Sequence, residues 1–243
     1  MFYDQQESDI RCEWGAHGVA ALAPISDVVI IVDVLSFSTS VDIAVTRGAT
    51  IFPYREKDAG AAEFAASRNA ELADPQRVTS RYSLAPESLL QIQAGERLVL
   101  PSRNGSTLVL AAGPTPVLAG CLRNARAVAR AAMRCGPRIA VIPAGERWKD
   151  DMSLRPAFED LMGAGAIIGH LRGRLSAEAL AALAAFKEAQ PDLTGHLRNC
   201  GSGRELIGRG FPTDLELASQ LDVSDSAPTL VDDAFVPAPK AAG

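Results

Sequence analysis

Asp33 closes an almost uncharged β-branched run, VVIIVD, and is followed by four hydroxyl side chains, Ser36, Ser38, Thr39 and Ser40. Three further apolar runs end in polar loops of similar character: SRNGST after Pro101, GCLRNA after Ala119 and AGERWKDD after Pro143. Between them these loops carry carboxylates (Asp33, Glu146), amides (Asn104, Asn124) and guanidinium groups (Arg103, Arg123, Arg147), with Arg155 just beyond. Acids, hydroxyls and arginines on one rim suit a divalent cation plus a phosphate-bearing small molecule. Hard cations such as Mg²⁺ use one or two carboxylates and leave positions for phosphate oxygens. Helix N-termini add N–H donors and partial positive charge. In NGST, Gly105 frees the backbone to approach an anion. Plainer roles compete at each position. Asp33 and the hydroxyls at 38–40 are also capping residues. NGST is also a tight turn, and Glu159 and Asp160 are also ordinary first-turn acids of a helix.

These loops need a scaffold of strands followed by helices. Residues 28–33 read as a buried strand, 39–47 as a helix, 50–54 as a short strand and 57–70 as an Ala-rich helix. RLVLP at 97–101 is the next strand, with a short helix to 112. PVLAG is a strand, and Asn124 caps the helix ARAVARAAMR. RIAVIPAG at 138–145 is a further strand, and Pro156 opens the helix PAFEDLMGAGAIIGHL. The segment 172–220 reads as mostly helical and VSDSAPTLVDDAFVP as a terminal strand or edge hairpin. Residues 71–96 read as irregular, and the tail APKAAG as frayed. Alternating strands and helices predict one α/β domain, a three-layer α/β/α sandwich around a mixed, mainly parallel sheet. In such folds ligands bind beyond the carboxyl ends of the strands, where Asp33, Asn104, Asn124 and Glu146 would converge.

Composition narrows the partners. The 243 residues carry a net charge of −5, which argues against a broad nucleic-acid-binding face. The four cysteines, Cys12, Cys121, Cys135 and Cys200, make no C-x-x-C pair, so they read as free thiols of a cytoplasmic protein. No apolar run reaches membrane-spanning length. His17, His170 and His196 lack metal-ligand spacing. P-loop, G-x-S-x-G and G-x-G-x-x-G signatures are missing. A haloacid-dehalogenase-type site would place a second Asp where Leu35 stands.

From end to end, in order, the chain resembles the ComB family of Mg²⁺-requiring 2-phosphosulfolactate phosphatases. The resemblance rests on VDVLSFSTSVDIAVTRGA, RNGST, CLRNARAVA, IPAGERW with RPAFEDLMGAGAI, and GRELIGRGFPTDLELASQLDVSDSAPTL. It implies hydrolysis of a small acidic phosphoester by a three-layer α/β/α fold, and a homodimer is compatible with it. Asp33 and Glu146 then become the leading catalytic and metal-binding carboxylates, with Asp160, Asp222 and Asp225 as further metal candidates. Ser38, Thr39, Ser40, Arg103, Asn104, Gly105, Ser106, Arg123, Asn124 and Arg147 become the substrate-binding set. A non-catalytic protein that binds an anionic metabolite is the alternative. The sequence departs from the family pattern where arginines are usual, at Ser36 and Thr107, and a glycine-rich stretch is replaced by DPQRVTSRYSLAPESLL. To restore the lost charge, at least one of Arg103, Arg123 and Arg147 is expected to point into the crevice near Asp33.

Overall fold

The computed structural model describes residues 2–55, 58–74 and 81–236. Its elements, in chain order, begin with β1 (Ile10–Cys12), α1 (Gly15–Leu22), β2 (Val28–Val32), α2 (Phe37–Thr46), β3 (Thr50–Tyr54), α3 (Ala59–Ser67) and β4 (Glu71–Leu72). Next come β5 (Arg97–Pro101), α4 (Gly105–Ala111), β6 (Val117–Gly120), α5 (Ala125–Cys135), β7 (Ile139–Pro143), β8 (Glu146–Arg147) and β9 (Leu154–Arg155). The chain continues through α6 (Phe158–Ile168), α7 (Ala177–Ala189), α8 (Leu193–Asn199), α9 (Gly201–Gly208) and α10 (Pro212–Ala218) to β10 (Thr229–Val231) and β11 (Ala234–Val236).

Nine strands form one mixed, mainly parallel sheet in the order β1-β7-β2-β6-β10-β11-β3-β5-β4. β2 lies between β7 and β6, parallel to both. Its continuous β-branched sequence follows from burial on two faces. Val28, Ile30 and Val32 pack with α5, α6 and α7 residues such as Val128, Met162 and Ala182. Val29 and Ile31 pack on the other side with Val19, Phe37, Val41 and Leu108. Helices therefore cover both faces, and the α/β/α expectation holds. On α6, Gly165 permits the approach of α7, since a Cβ there would lie 2.3 Å from the Ala182 carbonyl oxygen.

Several elements differ from expectation. The C-terminal hairpin is not at an edge. β10 and β11 sit inside the sheet, bridging β6 through Thr229↔Leu118 and β3 through Phe235↔Ile51. Their fully buried Phe235 packs edge-on against Phe37 at 6.1 Å, so hydrophobic burial inserts this short ribbon. The edge strands β1 and β4, of three and two residues, were not anticipated. Strands this short have no periodicity to detect. Residues 71–96 also hold a 3₁₀ turn over Pro86–Gln91. The tail APKAAG lies outside the described residues.

β6, the hairpin and β3 lie between β2 and β5, so the loop after β5 does not reach the loop after β2 as a sheet neighbour. It arrives instead through α4, which packs on β2 and β3 and against α1 and α2.

Candidate active site

The loops after β2, β5 and β7 meet around Asp33. Its carboxylate is 6% exposed. Oδ1 accepts the Phe37 N–H at 3.2 Å, the first residue of α2, and Oδ2 accepts the Gly105 N–H at 2.9 Å, the first residue of α4. Two helix starts thus hold one carboxylate, which fixes its orientation. Gly105 is required by this approach: a Cβ would stand 2.3 Å from the Phe37 ring and 2.8 Å from Asp33 Oδ2. The anion held by the NGST backbone is a side chain of the protein itself.

Three more carboxylates surround Asp33. Asp160 and Glu159, in the first turn of α6, are each 2% exposed. Asp160 ties two loops together: Oδ1 accepts the Val34 N–H at 2.7 Å and Oδ2 the Gly145 N–H at 2.8 Å. Glu146, half-buried at the start of β8, accepts a hydrogen bond from Asn104 Nδ2 to Oε2 at 3.0 Å. Glu159 Oε2 accepts a weak bond from the Cys200 thiol at 3.5 Å. Burial lifts the Asp33 carboxyl to about 6, with the Glu159 charge adding to it and the two N–H donors opposing it. Burial, then the charges of Asp33 and Glu159, lift Glu146 to about 7, while Asn104 and Arg155 oppose the rise. Asp160 rises well above the usual carboxylate range, first through burial and then through Asp33 and Glu159. Buried acids that perturb one another mark a candidate functional site. Burial pushes Cys12 and Cys121 to about 12 and Cys200 to about 11, so these three thiols offer no competing thiolate nucleophile.

Several expected ligands have other duties. Ser38, Thr39, Ser40 and Ser106 are fully buried, and their hydroxyls donate to the carbonyls of Ile31, Val34, Leu84 and Leu100 at 2.8–3.2 Å. Ser38 Oγ also accepts the Asp33 N–H at 3.1 Å. Ser38, Thr39 and Ser40 therefore fasten the strand end and α2 to neighbouring backbone. Ser36 is buried as well, and its hydroxyl has no hydrogen-bond partner among the described residues. Asn124 is buried in its own turn, accepting from Cys121 N–H and donating to the Ala119 carbonyl, so it sits at the N-cap position of α5 without a side-chain cap bond. We expect Ser40→Ala to lower stability by about 1–2 kcal/mol through the orphaned Leu84 carbonyl and to leave KM within about twofold. A tenfold rise in KM in steady-state assays would restore Ser40 as a ligand.

Two of the three arginines, of which at least one was expected to point into the crevice, are engaged elsewhere. Arg123 Nε pairs with the buried Asp42 at 3.0 Å, and its Nη1 donates to Leu217 and Gln220. Arg147 is exposed and donates to the Met152 carbonyl at 2.9 Å. Arg103 is exposed on its loop. Arg155 lies near enough to Glu146 for its charge to oppose the rise of that carboxyl. Asp222 and Asp225 are also elsewhere. Asp222 bonds His170 Nε2 at 2.9 Å and the Arg126 N–H at 2.8 Å at the start of α5, and Asp225 is exposed beside Arg126. Their partners belong to the start of α5 and to His170, apart from the Asp33 cluster's own bonds. Sequence reasoning left Glu159 off the site; its only signal was a second acid next to Asp160 in a helix first turn.

Among the described residues, no group of three or more His, Cys, Asp or Glu side chains stands at metal-cage geometry. Mg²⁺ seldom uses such a cage and binds through one or two carboxylates, water and substrate phosphate. The oxygen-only donors Asp33 and Glu146 fit that need, and burial together with neighbouring acids disfavours their ionised forms, a penalty that a cation would relieve.

The sequence model of the family described as 2-phosphosulpholactate phosphatase matches residues 19–233. A 2-phosphosulfolactate phosphatase of Methanothermobacter thermautotrophicus is 29% identical over 210 residues, 85% of this chain and 88% of that protein. A probable 2-phosphosulfolactate phosphatase of Deinococcus radiodurans is 32% identical over 151 residues, 60% of each chain. One from Synechococcus is 35% identical over 133 residues, 53% of each chain. The match spans the loops that carry Asp33, Asn104, Glu146, Glu159 and Asp160, so the carboxylate cluster lies inside the shared region, and the chain belongs to the 2-phosphosulpholactate phosphatase family.

Proposed function

We propose that this protein is a Mg²⁺-dependent phosphatase that hydrolyses a small acidic phosphoester, with 2-phosphosulfolactate as first substrate, releasing sulfolactate and phosphate. The observation that carries the reading is the buried cluster of Asp33, Glu146, Glu159 and Asp160 at the meeting of three loops, set in a chain that shares its family with proteins named for that reaction.

Asp33 and Glu146 would hold the cation, with Asp160 behind them. Bound Mg²⁺ supplies neutralisation of phosphoryl charge and lowers the pKa of water. The protein does the rest. Both Asp33 oxygens already accept N–H bonds, which locks the carboxylate in one orientation and favours a positioning role over attack on phosphorus. Glu146 has Oε2 engaged by Asn104. That leaves Oε1 to face the cation, and a bound cation would favour the ionised form of this carboxylate over the protonated one that burial and the neighbouring acids favour.

A screen of phosphoesters for phosphate release, with Mg²⁺ and with EDTA, tests this. Release from 2-phosphosulfolactate that EDTA abolishes is the expected result. Calorimetric binding of the same compounds with no release under either condition would replace the phosphatase reading with that of an anion-binding protein.

A further inference from the structure

β8 and β9 form a separate two-stranded antiparallel ribbon in which Glu146 is the register partner of Arg155. Cross-strand partners project to the same face of a ribbon. Arg155 therefore shares the face on which Glu146 meets Asn104. Opposite charges so placed would ordinarily pair, yet no ion pair within 4.0 Å joins them, and none joins Arg155 to another described carboxylate. Instead Nη2 donates to Ser202 Oγ at 3.3 Å, and the guanidinium lies 5.8 Å from the centre of the Trp148 ring. Ser202 belongs to the first turn of α9, and a Cβ on neighbouring Gly201 would be only 3.5 Å from Arg155 Nη1. One donor of five is thus committed, and a half-buried cation stands beside a helix start and a hydroxyl. The register pairs it with Glu146, and its one bonded donor turns toward α9, which joins to the Glu146 side of the cluster a basic group that Asp33, held by the starts of α2 and α4, does not touch.

Resting on the phosphatase reading above, we infer that Arg155, with Ser202 and the first turn of α9, is the specificity subsite for the non-reacting acidic group of the substrate, a sulfonate or carboxylate. The phosphoryl group takes the Asp33 side of Glu146, and the acidic tail takes the Arg155 side. A planar guanidinium suits an oxyanion with two acceptors facing it. Trp148, 54% exposed on the ribbon tip, flanks the guanidinium and limits its wandering.

The test compares Arg155→Gln and Arg155→Lys with wild type on 2-phosphosulfolactate and on p-nitrophenyl phosphate, whose tail is uncharged. Expected is a fall in kcat/KM of about 10- to 100-fold for the acidic substrate in Arg155→Gln, the size of one charge-assisted hydrogen bond. Most of it should appear in KM. Hydrolysis of p-nitrophenyl phosphate should fall clearly less than that of the acidic substrate, by no more than the loss of the Arg155 charge beside Glu146 brings, and Arg155→Lys should recover part of the loss. Equal losses on both substrates would overturn the assignment, because Arg155 would then serve the phosphoryl group or the fold. Calorimetry with sulfolactate alone needs no catalysis and separates this inference from the phosphatase reading. Wild-type binding that weakens about tenfold or more in Arg155→Gln supports the subsite even in a protein that releases no phosphate. Failure of the wild type to bind sulfolactate, or equal binding by the variant, sinks it.

Discussion

Asp33→Asn is expected to lower Mg²⁺-dependent phosphate release by roughly 10³-fold, about 4 kcal/mol of barrier, while the chain stays folded. The carboxylate is the one group at which the starts of α2 and α4 converge, through the Phe37 and Gly105 N–H groups. Asparagine keeps the shape and loses the charge that a cation would need. Two effects on stability then oppose each other. The new NH₂ faces one of those N–H donors, which costs about 1–3 kcal/mol. Removal of a carboxyl whose ionisation burial and Glu159 resist recovers a similar amount above pH 6. The variant should therefore melt within a few degrees of wild type at pH 8 without added cation. Phosphate release and a circular-dichroism melt on the same preparation decide the matter. Turnover close to wild type with Mg²⁺ present would remove Asp33 from the chemistry, and a collapsed melt would make it a structural residue alone.

How far the sequence led depended on what kind of signal each residue carried. β2, β3, β5, β6 and β7 and the helices α2, α5 and α6 are long enough for burial to write a pattern, and they fall where the apolar runs and helix starts placed them. The four strand-end loops were visible for the same reason, because polar residues after a buried strand stand out. What those polar residues do was not visible. A serine that donates to a carbonyl and a serine that would hold phosphate have the same letter, so Ser38, Ser40 and Ser106 read as ligands until their hydroxyls were seen bonded to Ile31, Leu84 and Leu100. Arg123 was equally ambiguous. Its partner Asp42 is 81 positions away, and nothing local announces a long-range pair. Arg155 and Glu159 were passed over because their roles depend on tertiary approach: the β8–β9 register for one and packing of α6 under the loops for the other. The central position of the C-terminal hairpin is a case of the same kind, set by the burial of Phe235 and by single bridges to β6 and β3.

Without divalent cation the protein is expected to lose stability as pH rises from 5 to 8, and Mg²⁺ is expected to cancel that loss. The sign follows from the direction of the shifts. Asp33 titrates near 6 and Glu146 near 7 in the folded chain, both above the ordinary values of 3.8 and 4.5 that hold when it unfolds. Across this window the folded state holds protons that the unfolded state has released, so the slope of unfolding free energy against pH is negative. The stabilisation is present while both groups are protonated and disappears as pH passes through 6 and then 7. Integrated over these two groups, the loss is about 4 kcal/mol, or roughly 10 °C in Tm for a chain of this size; the raised Asp160 pushes in the same direction. Mg²⁺ binds only the ionised carboxylates, so its stabilisation grows over the same interval and flattens the profile. Thermal melts at pH 5.5 and 8, in EDTA and in excess Mg²⁺, read this directly. Glu146→Gln should remove much of the pH dependence seen in EDTA, because the larger of the two shifted titrations goes with it. A fall in Tm that is the same size with and without Mg²⁺ would mean that the carboxylates answer to protons alone, and the cation would have to be dropped from the site.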